Sequence, residues 1–201
     1  MKKNSGFTLI ELMVTMIIVG ILTVIGGPSI SSFFSGGHLV SSSNELVSAI
    51  HIARSEAIKL NRKVTICVSS DGASCLVGSN KWQKGWIVFV DANNDRIGTG
   101  TSCSAATDIS SDCLLRIHEK IDDDRFSVTG IFDHDSSDIE WLTFTSRGLP
   151  KDGSASRSGV FSICAFEKSN NNIVGSRAVV LNLSGRIRIS ENVTALCPAT
   201  P

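Results

Sequence analysis

The sequence predicts an α+β protein in which a long hydrophobic N-terminal helix packs on an antiparallel β-sheet domain. Three observations carry this expectation. A 21-residue apolar run, FTLIELMVTMIIVGILTVIGG, has Glu11 as its single ionisable side chain and follows the short basic segment MKKNSG. Leu39, Leu46, Ile50, Ala53, Ala57 and Leu60 then recur at spacings of 7, 4, 3, 4 and 3, the period of a helix with one buried stripe. Beyond Asn61 the period changes to two and β-branched content rises, which predicts strands.

The apolar run, at 1.5 Å per helical residue, would extend about 32 Å, enough to cross a bilayer core. Lys2 and Lys3 ahead of it fit a cytoplasmic start. A cleaved secretory signal peptide is the competing reading, but this run is long for one and holds a carboxylate near its start. Gly26, Gly27 and Pro28 interrupt it, since proline removes a helical hydrogen bond and kinks the chain. The plain reading there is a simple end to the span. The amphipathic stripe continues the helix, with Glu45, Ser48, Ser55, Glu56, Lys59 and Arg62 on its other faces. The serine and glycine cluster from Ser29 to Ser43 leaves that continuity open, and Gly36 and Gly37 are candidates for a bend.

Strands are expected at Val64 to Val68, Trp86 to Val90, Leu114 to His118, Phe126 to Phe132, Ile139 to Phe144, Val160 to Phe166, Arg177 to Leu183 and Arg186 to Ile189. The organisation is then a short basic segment over 1–6, a membrane-length apolar helix over 7–28, an amphipathic continuation over 29–61 and a β-rich head over 62–201. A chain of 201 residues with 42% hydrophobic content accommodates one core plus such an appendage.

Glu11 needs a partner, because a carboxylate near the bilayer core costs a few kcal/mol. Gly6-Phe7-Thr8-Leu9-Ile10-Glu11 resembles the class III signal of type IV pilins and type II secretion pseudopilins. The resemblance implies that prepilin peptidase cuts between Gly6 and Phe7, that the new N-terminus is methylated, and that the helix stays on the mature subunit in the inner membrane. The head would then be periplasmic, or carried at a filament tip. The α-amino group of Phe7, on this chain or a neighbour, would be the partner of Glu11 in assembly. Further along, NELVSAIHIARSEAIKLNRKVTIC, KGWIVFVDANNDR, LTFTSRGLP and LNLSGRIRI resemble the FimT/GspH family of minor pilins and pseudopilins. This likeness spans nearly the whole chain and implies a role among other pilin-like subunits, at the tip or in assembly.

The six cysteines, Cys67, Cys75, Cys103, Cys113, Cys164 and Cys197, include no C-x-x-C pair, so zinc ribbons and thioredoxin-like chemistry are poorly supported. An even set behind an export signal reads as disulfides. The expected pairs are Cys67 with Cys75, Cys103 with Cys113, and Cys164 with Cys197; other connectivities remain open.

Net charge is zero, so nucleic-acid binding would need a local patch. From Lys168 to Arg188 four basic residues meet no acidic one, whereas eight acidic residues crowd Glu119 to Glu140. Gly185 is placed for a hairpin turn. Arg186 and Arg188 follow on one face of a strand, about 6.5–7 Å apart, a spacing suited to successive phosphates. The plain alternative is a solvated strand edge kept soluble by arginines. Gly185-Arg186-Ile187-Arg188 is similar to the GRxR motif of FimT-like minor pilins that bind DNA during uptake for natural transformation. Double-stranded DNA is accordingly an expected partner, with Arg177 and Lys168 as helpers, and a structural pseudopilin of the type II secretion system is the alternative.

Asp91, Asn93 and Asp95 alternate like the ligands of a calcium loop but lack the glycine and distal glutamate of an EF-hand; a polar turn is the reading here, and no metal or cofactor is expected. Asp133-His134-Asp135 is consecutive in a loop, and no nucleophile elbow or phosphate loop is present, so an enzyme is not expected. Trp82 and Trp86 could offer a binding platform, with core packing of at least one the stronger expectation.

Overall fold

The computed structural model describes residues 8–98, 102–103, 111–121, 124–152, 155–167, 170–191 and 193–200, with the side chains of 24–35 outside that description. The chain divides into two compact units, Met1–His38 and Leu39–Pro201. Helix α1 spans Leu9–Leu60. Its assignment includes Gly26, Gly27, Pro28, Gly36 and Gly37, so the helix ends at none of the expected interruptions. It ends instead at Asn61, whose φ of 52° is a left-handed C-terminal stop, with the Arg62 amide donating back to Ala57 O at 3.2 Å.

In the first unit the apolar side chains from Leu9 to Leu22 are exposed all round the helix. Among the described residues no helix is long and apolar enough to cross a membrane.

In the second unit, among the described residues, ten strands form two antiparallel sheets. Strands β1 (Val64–Val68), β2 (Trp86–Val90), β3 (Cys113–His118), β5 (Trp141–Phe144), β6 (Pro150–Asp152) and β7 (Ala155–Ser156) make a six-stranded sheet in the order β3-β2-β1-β5-β6-β7. Strands β4 (Phe126–Phe132), β8 (Gly159–Phe166), β9 (Ile173–Leu181) and β10 (Ile187–Glu191) make a four-stranded sheet in the order β10-β9-β8-β4. β6 and β7 had no sequence signal, being three and two residues long with no apolar alternation.

One core joins α1 to both sheets. Leu46, Ile50, Ala53 and Ala57 of the helix are fully buried against Val64, Ile66, Val88 and Phe144 of the first sheet and Phe161, Ile163 and Val179 of the second. β1 and β2 are buried on both faces, because Cys67, Ile87, Phe89 and Leu114 form a second cluster on the far side, with Cys75 and Trp141 packed on it. Trp82 and Trp86 are both core residues, 0% and 2% exposed. Trp82 Nε1 donates to Ile139 O at 2.7 Å, and Trp86 stacks on His118 at 3.8 Å between ring centroids. Core packing, the stronger expectation, holds for both indoles, and neither offers a binding platform.

The disulfides join Cys67 to Cys75, Cys103 to Cys113 and Cys164 to Cys197. The first closes the loop after β1, and the third ties the C-terminal tail to β8.

Candidate functional site

At the N-terminus, Thr8 caps α1. Its amide and hydroxyl donate to Glu11 Oε2 at 3.1 and 3.0 Å, and the Glu11 amide donates to Thr8 Oγ1 at 3.3 Å. Thr8-Leu9-Ile10-Glu11 is therefore a reciprocal capping box, a signal the sequence carried and the reading above did not use. In the isolated chain, Thr8 supplies the partner for Glu11. Gly6 and Phe7 lie outside the described residues.

The C-terminal hairpin is built around Asn182. Its Oδ1 accepts from the amides of Ser184 and Arg186 at 3.1 and 2.9 Å, while the Gly185 amide donates to Asn182 O at 2.9 Å. Gly185 has a φ of 74°, and a Cβ there would lie 2.6 Å from Gly148 O. Only glycine suits both the angle and the approach. From α1, Arg54 Nη1 donates to Gly185 O at 2.8 Å and Nη2 to Ser184 O at 3.1 Å. The turn is thereby pinned to the helix, and it lies close against the β5–β6 turn at Gly148. Arg54 escaped the sequence reading, because its spacing placed it beside the buried stripe with no mark of a partner 131 residues away.

Arg186 and Arg188 are exposed. Among the described residues, no hydrogen bond or ion pair engages either guanidinium. β10 is an edge strand, with Arg188 opposite Val180 and Ile189 opposite Val179. Ile187 and Ile189 share the side of buried Val179 and Leu181, so alternation turns Arg188 to the other side. Cys164 points to that same side, by its register through Ser176 and Ala178 to Ser190, and its disulfide holds the tail there. Arg177 is not brought to these arginines. It stands opposite Glu191, on the face of Ile189, and Nη2 donates to Glu191 Oε1 at 2.6 Å. Lys168 lies outside the described residues.

A third locus lies after β2. A carboxylate oxygen from each of Asp91, Asp95 and Asp112 falls within 4.8 Å of the other two. Burial, and then the charges of Asp95 and Asp91, push the Asp112 carboxyl above its usual value. Of Asp133-His134-Asp135, the Asp135 side chain has a structural task. Asp135 Oδ1 accepts from the hydroxyl and amide of Ser137 at 2.6 and 3.1 Å, and Oδ2 from Arg157 at 3.1 Å.

An apolar N-terminal helix with a capped Glu11, leading into a disulfide-bonded two-sheet β domain, defines a pilin-like subunit. A family model described as type II transport protein GspH matches residues 42–185, and a prokaryotic N-terminal methylation motif matches residues 1–27. The chain belongs to the GspH family of pilin-like minor pilins and pseudopilins, which are structural proteins. Among solved structures, two crystal forms of the Pseudomonas aeruginosa (strain PAO1) type IV minor pilin FimU are similar. The form in space group P21 is 21% identical with a TM-score of 0.48, covering 84% of this chain and 98% of that one. The form in P65 is 23% identical with a TM-score of 0.47, covering 81% and 98%. No curated protein matches the chain.

Proposed function

We propose that this protein is a minor type IV pilin that binds double-stranded DNA through the Gly185 hairpin, for uptake in natural transformation. The observation that carries the reading is the pair of exposed arginines, Arg186 closing the hairpin turn and Arg188 on the edge strand β10, with the turn pinned by Arg54. Guanidinium groups two residues apart on a strand present paired donors to neighbouring phosphates, and the held turn lowers the entropy lost on binding. Contact with the backbone gives little sequence preference and steep salt dependence.

The N-terminal methylation motif supports cleavage between Gly6 and Phe7 by prepilin peptidase, retention of the helix in the inner membrane, and assembly with other pilin or pseudopilin subunits. The exposed apolar side chains from Leu9 to Leu22 support a lipid or helix-bundle surrounding for that segment. A native mass spectrum should begin at N-methylated Phe7; a mature start beyond Pro28 overturns this part.

The GspH description of the family supports a second reading, an assembly-only pseudopilin of type II secretion. The deciding experiment titrates double-stranded DNA against the full chain in detergent at stepped salt, beside an Arg186→Ala, Arg188→Ala double variant of unchanged circular dichroism. The DNA reading expects a salt slope reduced by about 2 in the variant, one unit for each lost phosphate contact. No binding by the wild type at low salt overturns it in favour of the second reading.

A further inference from the structure

We propose that Asp91, Asp95 and Asp112 form a calcium site between the end of β2 and the start of β3. A carboxylate oxygen from each lies within 4.8 Å of the others, close enough for a single cation to touch all three. Three like charges at that separation repel unless a cation or protons intervene.

Asp91 points to a ligand independently. It is 1% exposed, and its Oδ2 accepts from Thr65 Oγ1 at 2.9 Å, the Thr65 hydroxyl being held in turn by Thr143 at 2.8 Å. Among the described residues its Oδ1 is buried with no hydrogen-bond partner. A carboxylate oxygen excluded from water and left without a donor is costly; a metal ion supplies what it lacks. The neighbouring cations are turned elsewhere, for Lys63 Nζ donates to Asn94 Oδ1 at 2.6 Å and the Arg96 guanidinium lies over the Trp141 ring.

The donors are all carboxylate oxygens, which select a hard cation over zinc or copper. Calcium is favoured over magnesium because its flexible shell of about 6–8 oxygens takes carboxylates mono- or bidentately, whereas magnesium demands a near-ideal octahedron and keeps several of its own waters. Three disulfides place the domain in an oxidising compartment, where modules with dissociation constants of about 0.1–1 mM are useful. A bound ion would join the two ends of the β2–β3 connection, next to the Cys103–Cys113 bridge.

The test is calorimetric titration of calcium chloride into the chelator-stripped full chain in detergent, with thermal unfolding followed in parallel. Expected are one saturable site per chain, a higher unfolding midpoint with calcium, and affinity at least tenfold weaker in Asp95→Asn and in Asp112→Asn. Asp95 is exposed, so its variant keeps the test valid if Asp112→Asn does not fold. No saturable binding by a few mM calcium, unaltered affinity in Asp95→Asn, or equal affinity for magnesium overturns the proposal.

Discussion

Arg54 and Gly185 are joined across 131 residues by a 2.8 Å hydrogen bond from Nη1 to the Gly185 carbonyl. The contact makes helix α1 a support for the arginine-bearing hairpin. Replacing Arg54 by Ala removes this bond and the one to Ser184 O, leaving the part-buried Gly185 carbonyl and the exposed Ser184 carbonyl without the guanidinium. A loss of about 2–3 kcal/mol in unfolding free energy is expected. Amide exchange at Gly185 and Arg186 should accelerate more than exchange in β1. Equal protection in variant and wild type would contradict the pinning role.

Gly185→Ala acts on the same joint from the other side. Its φ of 74° costs an L-residue about 1–2 kcal/mol, and the new methyl would press on Gly148 O at 2.6 Å. Chemical denaturation should show a destabilisation of at least about 2 kcal/mol. An unchanged midpoint would mean that the two turns separate freely.

Cys164 and Cys197 close a loop across 33 positions. Replacing both by Ser should lower stability by about 3–4 kcal/mol. Limited proteolysis should then cut the tail near Thr194 to Leu196 before the head domain. Wild-type resistance in the double variant would show that packing alone holds the tail.

Acid stability has a defined window. The Ser137 hydroxyl, then its amide and the Arg157 charge, hold the Asp135 carboxyl down at about 2, against an ordinary 3.8. The folded state therefore gains from ionised Asp135 fully above pH 3.8 and loses that gain as pH falls through about 2. Asp71 is lowered in the same direction, by the Ser74 hydroxyl first and then the Ser74 and Ala73 amides. Asp135→Asn should flatten the fall of the unfolding midpoint between those two pH values. A pH profile identical to wild type would remove Asp135 from the acid limb.

The strands that matched their sequence signal are the ones whose alternation is local. β1, β2 and β4 have the bounds expected, since Val64, Ile66 and Val68, or Trp86, Val88 and Val90, face one core. The last two long strands shifted: β9 is Ile173–Leu181 and β10 is Ile187–Glu191, because the Asn182 turn takes Asn182 and Leu183 out of the ladder. At the hairpin, the turn at Gly185 and the side taken by Arg188 were legible from alternation, whereas Arg186, expected on the strand, closes the turn. The engagement of Arg177 by Glu191 was not, because it depends on cross-strand register.

The sequence by itself determined the local quantities: the helical stripe, the alternating strands, the glycine turn at Gly185 and the capping pattern from Thr8 to Glu11, each arising from a few neighbouring residues. Only the tertiary structure decided which strands share a sheet, that Arg54 reaches the hairpin, and that Asp112 joins Asp91 and Asp95. The physical reason is distance along the chain. Propensity and periodicity act over a few residues, whereas sheet order and site assembly follow from burying one shared core, whose partners lie tens of residues apart.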